Sequence, residues 1–93
     1  MRIVGDIAHP RLKISIFHHA ERYAVKFEHA GIEITFKFSA EEGATDLASI
    51  KAMMDNAFIA AAEEKLRALI PMRLEKIAEV LPAAREGEFD EII

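Results

Sequence analysis

Between Leu12 and Phe38 apolar and polar residues alternate almost without a break, and two short turns divide the run into three segments of similar length. These are Leu12–His19, Arg22–His29 and Ile32–Phe38. A period of two is what a half-buried strand requires, because successive side chains leave opposite faces of the pleat. The pattern predicts the pairing as well. With Ala20-Glu21 as the first turn, His19 faces Arg22, Ile16 faces Val25 and Ile14 faces Phe27. With Ala30-Gly31 as the second, His29 faces Ile32, Phe27 faces Ile34, Val25 faces Phe36 and Tyr23 faces Phe38. A slip of one residue in either hairpin would send a whole apolar set to the wrong face. Gly31 tolerates the positive φ of a tight turn. Ala20-Glu21 is poorer turn chemistry and predicts a loop one or two residues longer.

The flanks are helical or irregular. Arg2-Ile-Val4 is a candidate fourth, edge strand, and His9-Pro10 forces extended backbone before the first main strand. Ser39-Ala-Glu-Glu42 has the spacing of a capping box, enough for one helical turn. Thr45 or Asp46 then caps the main helix. Its apolar face is Leu47, Ile50, Met54, Phe58, Ala62, Leu66 and Leu69, in steps of three and four. Pro71 is expected to end or kink it, and a shorter second helix carries Leu74, Ile77 and Leu81 as far as Pro82. The expected fold is α+β: a three-stranded antiparallel meander, four-stranded if Arg2–Val4 joins, with one face covered by a long C-terminal helix and a shorter helix after Pro71. Residues 1–82 form one domain in this reading, and residues 83–93, with Gly87 and four acids, an acidic, mobile tail.

Lengths raise a difficulty. A helix over Asp46–Ile70 would be about 37 Å long at ~1.5 Å per residue, whereas a seven-residue strand spans about 23 Å. The helix must overhang its sheet with its apolar stripe intact. Either Met72–Leu81 folds back over the overhang, or a second copy covers it. The small side chains of Ala57, Ala60, Ala61 and Ala62 would let another helix approach, so Phe58, Ala61, Ala62, Leu66 and Leu69 are the candidate self-association residues.

Composition narrows the function. Ninety-three residues make one domain, of the size at which oligomerisation often adds stability. With no cysteine there is no disulfide, thiolate metal site or cysteine nucleophile. Met1–Asp6 lacks the apolar core of a signal peptide, and the longest apolar run, Ala57–Ala62, is too short to span a bilayer. A soluble cytoplasmic protein with no membrane partner is expected. Residues 1–38 carry six Lys/Arg against four Asp/Glu, and residues 39–93 six against twelve, so +2 and −6 sum to the net −4. The acidic half would repel nucleic acid, and any such binding needs a locally basic face.

That face is the outward side of the sheet. Arg11, Lys13, Arg22, Lys26 and Lys37 surround one aromatic, Phe17, as a platform for single-stranded nucleic acid would. The competing reading, which we favour, is a solvated face where Lys26 and Lys37 pair with Glu28 and Glu33. His9, His18, His19 and His29 fall at opposite ends of the predicted sheet, so no metal site is expected. No nucleophile elbow, glycine phosphate loop or two-histidine helical motif is present, and no cofactor is implied. In the tail, Phe89, Ile92 and Ile93 among acids have the character of a short interaction peptide. Closure of these residues over their own core or a dimer mate is the plainer reading.

The expectation is a non-enzymatic, homodimeric protein-interaction module or scaffold, meeting partners through the helix stripe or the acidic tail. The alternative is a nucleic-acid-binding protein using the basic sheet face. A third, a small-molecule-binding dimer with a pocket between sheet and helix, rests on architecture alone.

Overall fold

The computed structural model describes Arg2–Ile92, with side chains from Arg2 to Leu81. Strands β1 (Arg2–Ile7), β2 (Lys13–His19), β3 (Arg22–His29) and β4 (Ile32–Ser39) form one antiparallel sheet in the order β1-β2-β3-β4. The lead-in segment is therefore a full fourth strand. The inner register is the one the alternation predicts: Ile16 opposes Val25, Ile14 opposes Phe27, and Phe27, Val25 and Tyr23 oppose Ile34, Phe36 and Phe38. β1 joins with its register shifted between Ile3 and Gly5. The extra residue there, Val4, packs on the core, and Gly5 and Ile7 then face Ile16 and Ile14.

Both hairpin turns are two residues long. Ala30 and Gly31 have φ of 53° and 79°, the twist that matches paired strands. The first turn is no longer than the second, contrary to the expectation from its residues: Ala20 takes φ 55° itself. The alternating pattern on both flanking strands fixes the register, and the turn accepts the strain.

After β4, the carboxylate of Glu42 accepts hydrogen bonds from the Ser39 amide (2.9 Å) and hydroxyl (3.1 Å), closing a single 3-10 turn over Ala40–Glu42. Asp46 then caps α1 (Leu47–Met53), its Oδ1 accepting from the Ser49 amide at 2.8 Å. The helical half departs from expectation in where it breaks and where it ends. The interruption falls at Met54-Asp55, and α2 runs from Asn56 to Ile92 straight through Pro71 and Pro82. The short helix thus precedes the long one. Asp55 restarts the helix by accepting the Phe58 amide at 2.8 Å. Pro71 is exposed, so the Arg67 carbonyl that it leaves without an amide partner can be hydrated.

Both helices lie on one face of the sheet. α1 covers β1, where a Cβ on Gly5 would sit 3.4 Å from Leu47 Cδ1. α2 crosses β3 and β4, burying Ile59, Ala62 and Leu66 against Ile14, Ile16, Val25 and Phe27. Phe58 completes an aromatic cluster, its ring 5.1 Å from that of Phe36 and 6.2 Å from that of Phe27. Full burial of side chains such as Phe27 and Leu66 contributes about 1.5–3 kcal/mol each. This contact ends near Ile70. At ~1.5 Å per residue α2 is about 55 Å long, and the molecule measures 60 × 27 × 21 Å. Its radius of gyration, 18.3 Å, exceeds the ~12 Å of a compact chain of this length.

Candidate functional site

The outward sheet face assembles four of its five predicted cations. Lys13, Arg22, Lys26 and Lys37 stand on it with Phe17, while Arg11 does not. Arg11 precedes β2, and its guanidinium forms two hydrogen bonds with the Glu63 carboxylate on α2, Nη2 at 3.0 Å. The cause is local: His9 Nδ1 accepts the amides of Arg11 and Leu12, both at 3.1 Å, and curls the chain before the strand begins. An acceptor Nδ1 leaves the hydrogen on Nε2, 3.8 Å from Glu63. The Arg11 hydrogen bonds hold the Glu63 carboxyl below the usual carboxylate range, against the opposing effect of desolvation, and the charges of Arg11 and Arg67 help. This cluster ties the β1–β2 connection to α2.

Of the remaining cations Lys26 forms ion pairs, whereas Lys37, also expected to pair with Glu28 or Glu33, stands opposite Ala24 and forms no salt bridge among the described residues. Lys26 Nζ reaches Glu28 at 3.5 Å and Glu33 at 3.8 Å, and lies 5.3 Å from the centre of the Phe17 ring. Lys13 stands directly opposite Glu28. Arg22 adds to the hydrogen bonds from Ser39 that lower the Glu42 carboxyl. Asp6, Glu28 and Glu33 share the face with its four cations, leaving one net positive charge there. Cross-strand pairing of this kind finishes a sheet. The aromatic that a base would stack on already carries a cation.

The histidines separate as the register requires. His18 packs on Tyr23 with ring centroids 4.6 Å apart, while His9 and His29 lie at the other end of the sheet. Among the described residues no three His, Asp or Glu side chains gather as a metal site would need. No described helix is long and apolar enough to cross a membrane.

The predicted self-association residues divide. Ala62 and Leu66 are buried, and Phe58 is packed, within the chain's own core; Ala61 and Leu69 are exposed. They do not form a free seam, because the break at Met54-Asp55 sets α1 over β1 and leaves residues 56–70 of α2, about 22 Å at ~1.5 Å per residue, to lie over strands at least that long. The uncovered apolar stretch begins at Leu69, the last of them, and continues past it. Leu69, Met72, Leu74, Val80 and Leu81 are 39–69% exposed. Most of them line an open groove of about 690 Å³ with Ile77, Arg73, Lys76 and Ile32 from the start of β4. The residues that sequence reasoning missed here are Ile32, Met72, Arg73, Lys76 and Val80. Their signal was present: Leu66, Ile70, Ile77 and Leu81 keep one helical phase across Pro71, as a continuous helix would. The tail candidates Phe89, Ile92 and Ile93 lie outside the residues whose side chains are described. Set against protein-family models, curated proteins and solved structures, the chain matches none.

Proposed function

We propose that this protein is a non-enzymatic interaction module or small scaffold of the cytoplasm, and that it works as a homodimer joined through the part of α2 that projects past its sheet. One observation carries the reading: five large apolar side chains between Leu69 and Leu81 stand 39–69% exposed along a helix that no other described residue covers. Of the two ways to bury the overhang, folding back is unavailable to a segment that continues the same helix. A second copy is the remaining one, and exposed apolar stripes of this extent mark interaction surfaces. The polar groups that catalysis would call on are occupied in holding the fold. The Ser39 and Ser49 hydroxyls cap turns, His9 holds a loop, and Glu63 holds Arg11. Each is a structural tie.

Light scattering coupled to size exclusion at micromolar concentration should report twice the 10.4 kDa of the chain. Met72→Glu with Val80→Glu should give a folded monomer, since both positions are more than half exposed. A monomeric wild type at every concentration would overturn the reading.

A further inference from the structure

The groove past the sheet has an apolar wall and a cationic rim. Ile32 closes its sheet end, Leu69, Met72, Ile77 and Val80 line it, and Arg73 and Lys76 stand along it. Arg73 lies over the β3–β4 turn, where a Cβ on Gly31 would fall 2.6 Å from the guanidinium. It forms no salt bridge among the described residues, and Lys76 reaches only Glu79, in a pair about two-thirds exposed. The groove is open along its length, a trough suited to a chain segment.

The sequence holds a segment of matching chemistry. Residues 82–93 carry Glu86, Glu88, Asp90 and Glu91 against Arg85 alone, with Phe89, Ile92 and Ile93 interspersed. They cannot enter their own groove. α2 is unbroken to Ile92, so at ~1.5 Å per residue they are carried about 15–30 Å beyond Met72 along the axis.

Resting on the self-association reading above, we propose that each copy's groove receives residues 82–93 of a second copy, the two α2 helices running antiparallel. The tail acids then meet Arg73 and Lys76, and the tail apolar residues cover Leu69, Met72 and Val80. A two-fold axis makes the exchange reciprocal. Direction follows from charge and position. The groove begins where α2 leaves the sheet and the acids lie at the helix's far end, so only antiparallel helices bring them together. Parallel helices would set acidic tail against acidic tail, a costly juxtaposition.

A charge exchange tests this with the full chain. One variant carries Arg73→Glu and Lys76→Glu; the other carries Glu86→Lys, Glu88→Lys and Glu91→Lys. Each alone places like charges in both groove–tail contacts and should dimerise at least about tenfold more weakly than wild type. Mixed in equal amounts they should form a dimer containing one chain of each kind, seen by native mass spectrometry, because both contacts are then complementary. Circular dichroism checks that each variant is folded. If each variant alone dimerises as tightly as wild type, the tail exchange is wrong while pairing through α2 stands. Weakening without rescue on mixing also overturns the exchange. A monomeric wild type overturns both readings.

Discussion

Leu66 and Val80 stand fourteen residues apart on α2, close to four full turns, and so project from similar sides of the helix. Leu66 is 0% exposed and Val80 is 60% exposed. Spacing and residue type hardly differ between the segments that hold them. The difference is across from the helix: Val25, Phe27 and Phe36 face the first segment, and the strands have ended before the second. Periodicity is a property of the helix, whereas burial is a property of what lies opposite. Where an apolar stripe outlasts the sheet that it covers, its continuation is left exposed, however regular the period.

That contrast can be broken most forcefully at its two ends. Leu66→Ala should lower the unfolding free energy by about 2–5 kcal/mol, the usual range for a leucine removed from a packed core. Val80→Ala in dilute, monomeric protein should change it by less than about 0.5 kcal/mol, while weakening self-association. Urea denaturation compares the two. Similar losses would mean that Val80 is buried within the monomer and that the two segments are alike. Pro71 marks the boundary between them. Pro71→Ala restores an amide hydrogen inside a continuous helix and should stabilise by up to about 3 kcal/mol. A neutral or destabilising result would show that the helix does not pass through this position.

How far the sequence could be read divides along the same line. The meander β2-β3-β4 was legible to the residue because alternation on its three strands leaves one register that keeps Ile14, Ile16, Val25 and Phe27 together, whereas the extent of β1 to Ile7 and its bulge at Val4 were not. The break at Met54-Asp55 was not, because Ile50, Met54 and Phe58 keep helical phase across it. Its trace was Asp55, a good capping residue three places before Phe58. Pro71 misled in the opposite sense. Ile70 packs on the core and Arg73 over the β3–β4 turn, so contacts on both sides hold the helix through a residue of low propensity. Arg11 was assigned to the outer face by extending the alternation two residues before the strand begins. No one-dimensional pattern shows that His9 turns the chain there and sends Arg11 to Glu63.

The His9–Glu63 cluster belongs to the covered segment alone, so perturbing it sharpens the comparison. His9→Ala leaves the Arg11 and Leu12 amides without their acceptor and should cost about 1–2 kcal/mol. His9→Asn, whose carbonyl oxygen can replace Nδ1, should recover most of it. Acid acts on the same tie. The folded Glu63 carboxyl lies below its ordinary value of 4.5, so its contribution is complete above that value and is lost as the pH falls through the lower, folded one. Glu63→Gln should accordingly flatten the acid limb of a Tm-against-pH profile. Self-association should follow neither change, except as folding itself fails.

The smallest effects are expected at the two turns, one at each end of the sheet. Ala20 and Ala30 both hold φ near 55°, a region that costs an alanine roughly 1–2 kcal/mol. Glycine removes that strain but adds freedom to the unfolded chain, worth about 0.4–1 kcal/mol in the opposite direction. Ala20→Gly and Ala30→Gly should therefore each raise stability by about 1 kcal/mol or less, read from denaturation midpoints at constant slope. The pair discriminates because only the Ala30-Gly31 turn lies beneath Arg73, where α2 leaves the sheet. Equal gains at the two turns, with the dimer constant unchanged, mean that the turn bears no load from the overhanging helix. A smaller gain at Ala30, accompanied by a change in self-association, would mean that the sheet and the overhang are mechanically coupled through Arg73, and the two segments of α2 would then have to be treated as one unit.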